Sequence, residues 1–227
     1  MTGAQWAPQV EALSPEFTCL TPDLPGHGTA ADVPFTLAGA AESVAATIDR
    51  GAGASALLVG LSLGGYVAMD VAARWPERIS GLVLAGATAE PVPPRSILFQ
   101  ALAEVFVRVD PAVLTAINTW FFRARYPASI AEPIIAGGFH FPGGAAALRA
   151  LVGERFIPRL ASYPGRTLLL NGEFDLLFRL SSAAFADAAA DARRVRIPGA
   201  THLTNIDRPA HVTAAIRRFA REVVGSP

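Results

Sequence analysis

The chain alternates between short apolar runs rich in strand-favouring residues and longer Ala-rich stretches whose apolar positions recur at helical spacing. Ala56-Leu57-Leu58-Val59-Gly60 is an unbroken apolar run, the pattern of a parallel strand buried on both faces. Further strands are predicted over residues 17–20, 81–85, 166–170 and 194–197. Helices are predicted over residues 5–13, from Thr36 to about Arg50, from about Gly64 to Arg74, over 181–190, and from about Pro209 to Val223. In the second of these, Ala40, Val44, Ala45 and Ile48 fall on one face; Pro76 stops the third. Alternation of this kind predicts an α/β fold, a mainly parallel sheet flanked by helices.

The pattern breaks from about residue 88 to residue 164. Aromatic, Pro-punctuated helical segments replace the alternation there, among them Phe99, Phe106, Trp120, Phe121 and Phe122. The expected organisation is therefore a core in two parts, residues 1–87 and 165–227, carrying a helical cap or lid insertion over 88–164.

Composition narrows the function classes. Hydrophobic residues make up 52% of the 227 and charged residues 17%, so a folded globule is expected. Net charge is zero and no basic run occurs, which argues against a nucleic-acid partner. All 19 basic residues are Arg; without Lys, Schiff-base and Ser–Lys chemistry are excluded. The longest uncharged apolar stretch, residues 55–69, falls short of the ~20 residues a membrane span needs, so no membrane partner is expected. Cys19 is the only cysteine, which excludes an internal disulfide and paired-thiolate metal sites. The opening residues lack the charge and apolar run of a signal peptide, and a cytoplasmic location is expected.

Three segments carry candidate chemistry. Gly60-Leu61-Ser62-Leu63-Gly64-Gly65 lies between a predicted buried strand and a helix, the setting in which G-x-S-x-G marks a sharp turn that lifts a serine hydroxyl above the sheet. Gly60 and Gly64 are expected to relieve clashes across that turn. The Leu63 N–H, at the helix amino end, faces the place where an oxyanion would form. A serine needs a base, and the base needs an orienting group. Of the four histidines, His202 follows the strand at 194–197 through a Pro-Gly loop and so sits at a strand's carboxyl end, where open α/β sheets bind ligands. His27, in a Pro-Gly turn, His140, in the insertion, and His211, inside the last helix, are placed less well. Asn171-Gly172-Glu173-Phe174-Asp175 leaves its strand at the same edge, and Asp175, further out on the loop, is preferred to Glu173 as the orienting acid.

At these residues the sequence resembles the α/β-hydrolase superfamily, in particular its capped esterase and lactonase branch. Residues 22–28, Pro-Asp-Leu-Pro-Gly-His-Gly, resemble the turn after that family's fourth strand. The stretch from Gly199 to Pro209 is similar to the histidine loop of 3-oxoadipate enol-lactonases and related carboxylesterases. The resemblance implies a Ser62–Asp175–His202 triad, Leu63 in the oxyanion hole, no cofactor or metal, and a small ester or lactone as substrate. It also implies two or three strands ahead of Trp6 that this chain does not hold, among them the one that would supply a second oxyanion donor. Carbon–carbon bond hydrolysis, cofactor-free haloperoxidation and a weakly active or non-catalytic remnant acting as a binding protein are the competing readings; a homo-oligomer stays open.

Overall fold

Four strands form one sheet in a computed structural model that describes residues 2–51, 53 and 55–224. They are β1 Ala56–Leu61, β2 Ile79–Ala85, β3 Arg166–Gly172 and β4 Asp191–Ile197, ordered β1-β2-β3-β4. Every pair is parallel, with Gly60 opposite Leu84, Leu84 opposite Leu169 and Leu170 opposite Val195. All four carboxyl ends therefore open on one edge of the sheet.

Side chains alternate between two covered faces. Leu82, Leu84 and Leu169 pack with α2 Leu37–Gly51 and α3 Leu63–Arg74 on one side. Val83, Ala85, Leu168 and Leu170 meet α12 Pro209–Val224 on the other, through Val212, Ile216 and Phe219, with α1 Ala7–Leu13 beside it. Burial on both faces explains why β2 and β3 read as continuous apolar runs, whereas β1, expected to be buried on both faces, is half-buried over residues 56–59 because it forms the sheet edge among the described residues. Each such Leu contributes about 1.5–3 kcal/mol of transfer free energy. The Thr36 hydroxyl caps α2 by accepting from Gly39 N–H at 3.0 Å.

Between β2 and β3 the chain forms five helices among the described residues and no strand: α4 Ser96–Arg108, α5 Pro111–Arg125, α6 Ala128–Ala136, α7 Phe141–Leu151 and α8 Phe156–Ser162. Asp110 caps α5, its carboxylate accepting from Ala112 N–H at 2.7 Å, and Pro111 opens it. The buried Asp70 of α3 anchors α8 through Arg159 at 3.0 Å. Two short helices, α9 Leu176–Arg179 and α10 Ser182–Ala188, connect β3 to β4, and α11 Thr204–Asp207 precedes α12. No described helix is long and apolar enough to cross a membrane.

The strand predicted over residues 17–20 does not form. The segment has the composition of a strand but finds no ladder partner, and β1 is an edge strand among the described residues. A strand is stabilised by its neighbours' hydrogen bonds, so composition alone does not make one.

Candidate active site

Ser62 sits directly after β1 and caps the amino end of α3 with φ 51° and ψ −118°. It is the only non-glycine residue with positive φ among those described. Two backbone bonds hold it there: the Ser62 N–H donates to Ala85 O at 2.8 Å, and the Ser62 carbonyl accepts from Gly65 N–H at 2.9 Å. Gly60 is required by the same turn, since a Cβ there would lie 2.4 Å from the Gly64 carbonyl oxygen. Gly64 itself is not: a Cβ at that position meets nothing within 4 Å, whereas one at Gly65 would lie 2.4 Å from the Ala87 Cβ, so the clash relief belongs to Gly60 and Gly65. Holding a serine at such a φ costs on the order of 1–3 kcal/mol. Ser62→Gly is accordingly expected to raise unfolding free energy by about 1 kcal/mol in urea titration, while removing the hydroxyl.

Asp175 and His202 leave β3 and β4 at the same edge. The His202 Nδ1–H donates to Asp175 Oδ2 at 3.0 Å, and the Asp175 residue is 7% exposed. A carboxylate can only accept, so this bond fixes the proton on Nδ1 and leaves the Nε2 lone pair outward in the neutral ring. Glu173 turns elsewhere: its Oε2 accepts from Gly199 N–H at 2.9 Å and braces the acid loop against the histidine loop. Ser62 and His202 open on one cavity of about 450 Å³, together with Leu63. As the first residue of α3, Leu63 has an N–H without an intrahelical acceptor. Gly3, also on the cavity wall, donates its N–H to Asp23 Oδ1 at 2.8 Å.

Several residues around this pair were not singled out by the sequence. Gly86, just past β2 at φ 52°, lies so close that a Cβ there would meet the His202 ring at 3.0 Å and Asp175 Oδ2 at 3.1 Å. The Phe178 ring stacks on the His202 ring with centroids 4.7 Å apart. Phe178 is held in turn by the buried Thr88 hydroxyl, which donates to its carbonyl at 2.7 Å and accepts from Asn171 Nδ2 at 3.0 Å. Asp207 fixes the histidine loop by accepting from Thr201 N–H at 2.6 Å, and it reaches the insertion through the Tyr126 hydroxyl at 2.7 Å and Arg125 at 3.0 Å. Burial opposes its charge, but the bonds from Thr201, Tyr126 and Arg125 prevail and hold its carboxyl below the usual aspartate value.

The other histidines are placed differently. His211 is exposed on α12, and half-buried His140 has its Nε2 3.2 Å from Gly137 O. His27 is buried on the cavity wall with Nδ1 3.1 Å from Pro25 O, and burial pushes its pKa down to about 4. Its folded value lies below the ordinary 6.5, so the unfolded chain takes up a proton first as pH falls. Stability is then full above about pH 6.5 and declines between there and about pH 4, by roughly 3 kcal/mol if the whole shift is expressed. His27→Phe should flatten that part of a urea-midpoint-against-pH curve; an unchanged slope would count against a buried neutral His27.

A family model described as "Alpha/beta hydrolase family" matches residues 1–216 of the 227. The chain belongs to the alpha/beta hydrolase family. A pimeloyl-[acyl-carrier protein] methyl ester esterase from Edwardsiella ictaluri is 31% identical over 230 residues, spanning 95% of this chain and 87% of that protein. A thermophilic esterase from Thermogutta terrifontis superposes with a TM-score of 0.82 at 28% identity, over 98% of this chain and 86% of the other. The enol-lactonase from Burkholderia xenovorans LB400 gives 0.79 at 25% identity, over 97% and 88%. These similarities place the chain in the esterase and lactonase branch of the family.

Proposed function

We propose that this hydrolase cleaves a small carboxylic ester or lactone through an acyl-enzyme on Ser62. One observation carries the reading: a serine held at positive φ and a histidine already bonded to a buried aspartate open on the same cavity. In the first half-reaction the Ser62 Oγ attacks the carbonyl carbon while His202 Nε2 takes its proton. The carbonyl oxygen becomes an oxyanion facing the Leu63 N–H, and Asp175 stabilises the imidazolium. Collapse of the tetrahedral species breaks the ester bond, and His202 returns the proton to the departing alcohol. Water, deprotonated by His202, then attacks the acyl carbon and releases the acid and the serine. A lactone yields one hydroxy acid by the same steps.

Ser62 and His202 line the same cavity without a hydrogen bond between their side chains, and such contacts tighten from unliganded geometry when substrate binds. The Leu63 N–H is the oxyanion donor of this reading, and losing one such donor costs ~2.7–4 kcal/mol. The 88–164 insertion is the lid of this reading, because Leu102 and Phe106 of α4 and Ala147 and Leu148 of α7 line the cavity with Ser62. The test is pre-steady-state release of p-nitrophenol from p-nitrophenyl acetate, run beside a panel of lactones and carbon–carbon hydrolase substrates. A stoichiometric burst supports the acyl-enzyme. Turnover of a carbon–carbon substrate without any ester or lactone hydrolysis would overturn the substrate class.

A further inference from the structure

The insertion divides in two by what its helices touch. Helices α4 and α7 pack on one another and line the Ser62 cavity through Leu102, Phe106, Ala147 and Leu148. Among the described residues, none of α5 or α6 lines that cavity. These two helices build a separate apolar cluster instead, in which buried Phe122, Tyr126, Ala131 and Ile134 pack with Ile206 of α11. Leu203, the residue after His202, is partly buried against the same cluster. A lid role accounts for α4 and α7 and leaves α5 and α6, docked on the histidine loop, without one.

The polar bonds at this docking site run to a single carboxylate. Asp207, its side chain 1% exposed, closes the loop that carries His202: Oδ2 accepts from Thr201 N–H at 2.6 Å and from the Thr201 hydroxyl at 2.5 Å. Oδ1 faces the insertion and accepts from the Tyr126 hydroxyl at 2.7 Å and from Arg125 at 3.0 Å. Each oxygen thus has two donors, which fixes the plane of the carboxylate and with it the Thr201 backbone. Asn205 pins the far side of the loop: its Nδ2 donates to Gln5 O and its carbonyl accepts from Gln9 Nε2, both at 2.9 Å. The His202 ring itself has one hydrogen bond among the described residues, the 3.0 Å bond to Asp175, and a stack on Phe178. Where that ring points therefore depends on how firmly its backbone is held.

We propose that the α5–α6 half of the insertion is a positioning element for the histidine base, with the Tyr126 hydroxyl acting on His202 through Asp207. The inference rests on His202 being the base of the reaction proposed above. Tyr126 touches neither substrate nor reacting atoms; it removes a freedom of the loop. Of the two donors from the insertion it is the stronger, since Tyr126 is buried whereas the Arg125 side chain is exposed and its charge is screened by solvent. A base displaced by a fraction of an ångström loses its aim at a serine hydroxyl, and such misplacement is costly in rate. Substrate binding is left alone, because α5 and α6 do not reach the cavity.

The experiment compares the full chain with Tyr126→Phe, which removes one oxygen and keeps the ring against Phe121 and Phe122. On p-nitrophenyl acetate, kcat is expected to fall about tenfold while KM stays within about twofold of the parent. Asp207→Asn should cost at least as much, and adding Tyr126→Phe to it should cost little more, because both changes act through one bond. Long-range proton–nitrogen NMR of the imidazole gives a readout independent of hydrolysis, with the His202 signals assigned by their loss in His202→Gln. The parent ring is expected with its proton on Nδ1, and the Tyr126→Phe ring with a share of the Nε2–H tautomer. Trp120→Ser, exposed on the same helix, should leave kcat and the ring signals as they are, and circular dichroism checks that each variant is folded. A lower melting temperature in Tyr126→Phe with kcat, KM and the ring signals unchanged overturns the proposal, since a merely structural hydroxyl would give that result. Additive losses in the double variant overturn the route through Asp207, and a raised KM with kcat intact would place Tyr126 in substrate binding and also overturn it. If the parent chain hydrolyses no ester, the reaction assigned to the site fails, and the ring signals still decide the positioning role.

Discussion

Ser62→Ala is expected to lower p-nitrophenyl acetate turnover by about 10⁴- to 10⁶-fold, the scale of loss when the nucleophile of a serine triad is removed. The substitution withdraws one oxygen and leaves the backbone much as it was, because alanine meets the same steric conditions at φ 51° as serine does. Stability should therefore stay within about 0.5 kcal/mol of the parent. Unchanged stability with lost turnover separates a chemical role from a structural one. Ser62→Gly gives the complementary result, equally inactive but more stable, because glycine adopts this φ without strain. If the alanine variant kept a tenth of parental turnover, the nucleophile would have to be elsewhere.

Asp175→Asn is expected to reduce kcat by about 10⁴-fold with little change in the cavity. The reason lies in the 3.0 Å bond from His202 Nδ1. An asparagine in that place can present its N–H₂ to the ring, which favours the tautomer with the proton on Nε2 and removes the lone pair that must accept from serine. The effect is on the reaction and not on occupancy, so KM should move far less than kcat. Glu173→Gln serves as contrast. It keeps an oxygen that can accept from Gly199 N–H, and its cost should be within about tenfold. A larger loss for the glutamate change than for the aspartate change would exchange the two roles.

Much of this site could be read from sequence because its parts are local. The turn around Ser62 needs glycine at position 60 and a strand–helix junction, both visible in six consecutive residues. The ordering of Glu173 and Asp175 followed from reach along a single loop, and the structure places the Asp175 carboxylate on the imidazole. Strands β2 and β3 are visible because burial on both faces writes apolar runs into the chain, whereas β4, with Arg193, Arg194 and Arg196 exposed, carries no such run. What escaped depends on partners far away in sequence. Gly86 is one glycine after a strand until the His202 ring, 116 positions later, is packed over it. Phe178 reads as a core aromatic, and its stacking on His202 arises only when the β3 and β4 loops are brought together. Asp207 lay within a recognised stretch, but its grip on Tyr126 joins the histidine loop to the insertion over 81 residues. The strand expected at residues 17–20 failed for the converse reason, since a ladder needs a neighbour that local composition does not provide.

The central claim is that Ser62 is a nucleophile activated by His202, and covalent labelling tests it most directly. The chain is treated with an active-site-directed phosphonate and digested with trypsin, which cuts after Arg50 and Arg74 and isolates residues 51–74. Mass spectrometry is expected to find one adduct per chain, on Ser62, forming far more slowly in His202→Gln and absent in Ser62→Ala. Full ester turnover without an adduct on that peptide, or an adduct on another serine that abolishes turnover, would contradict it.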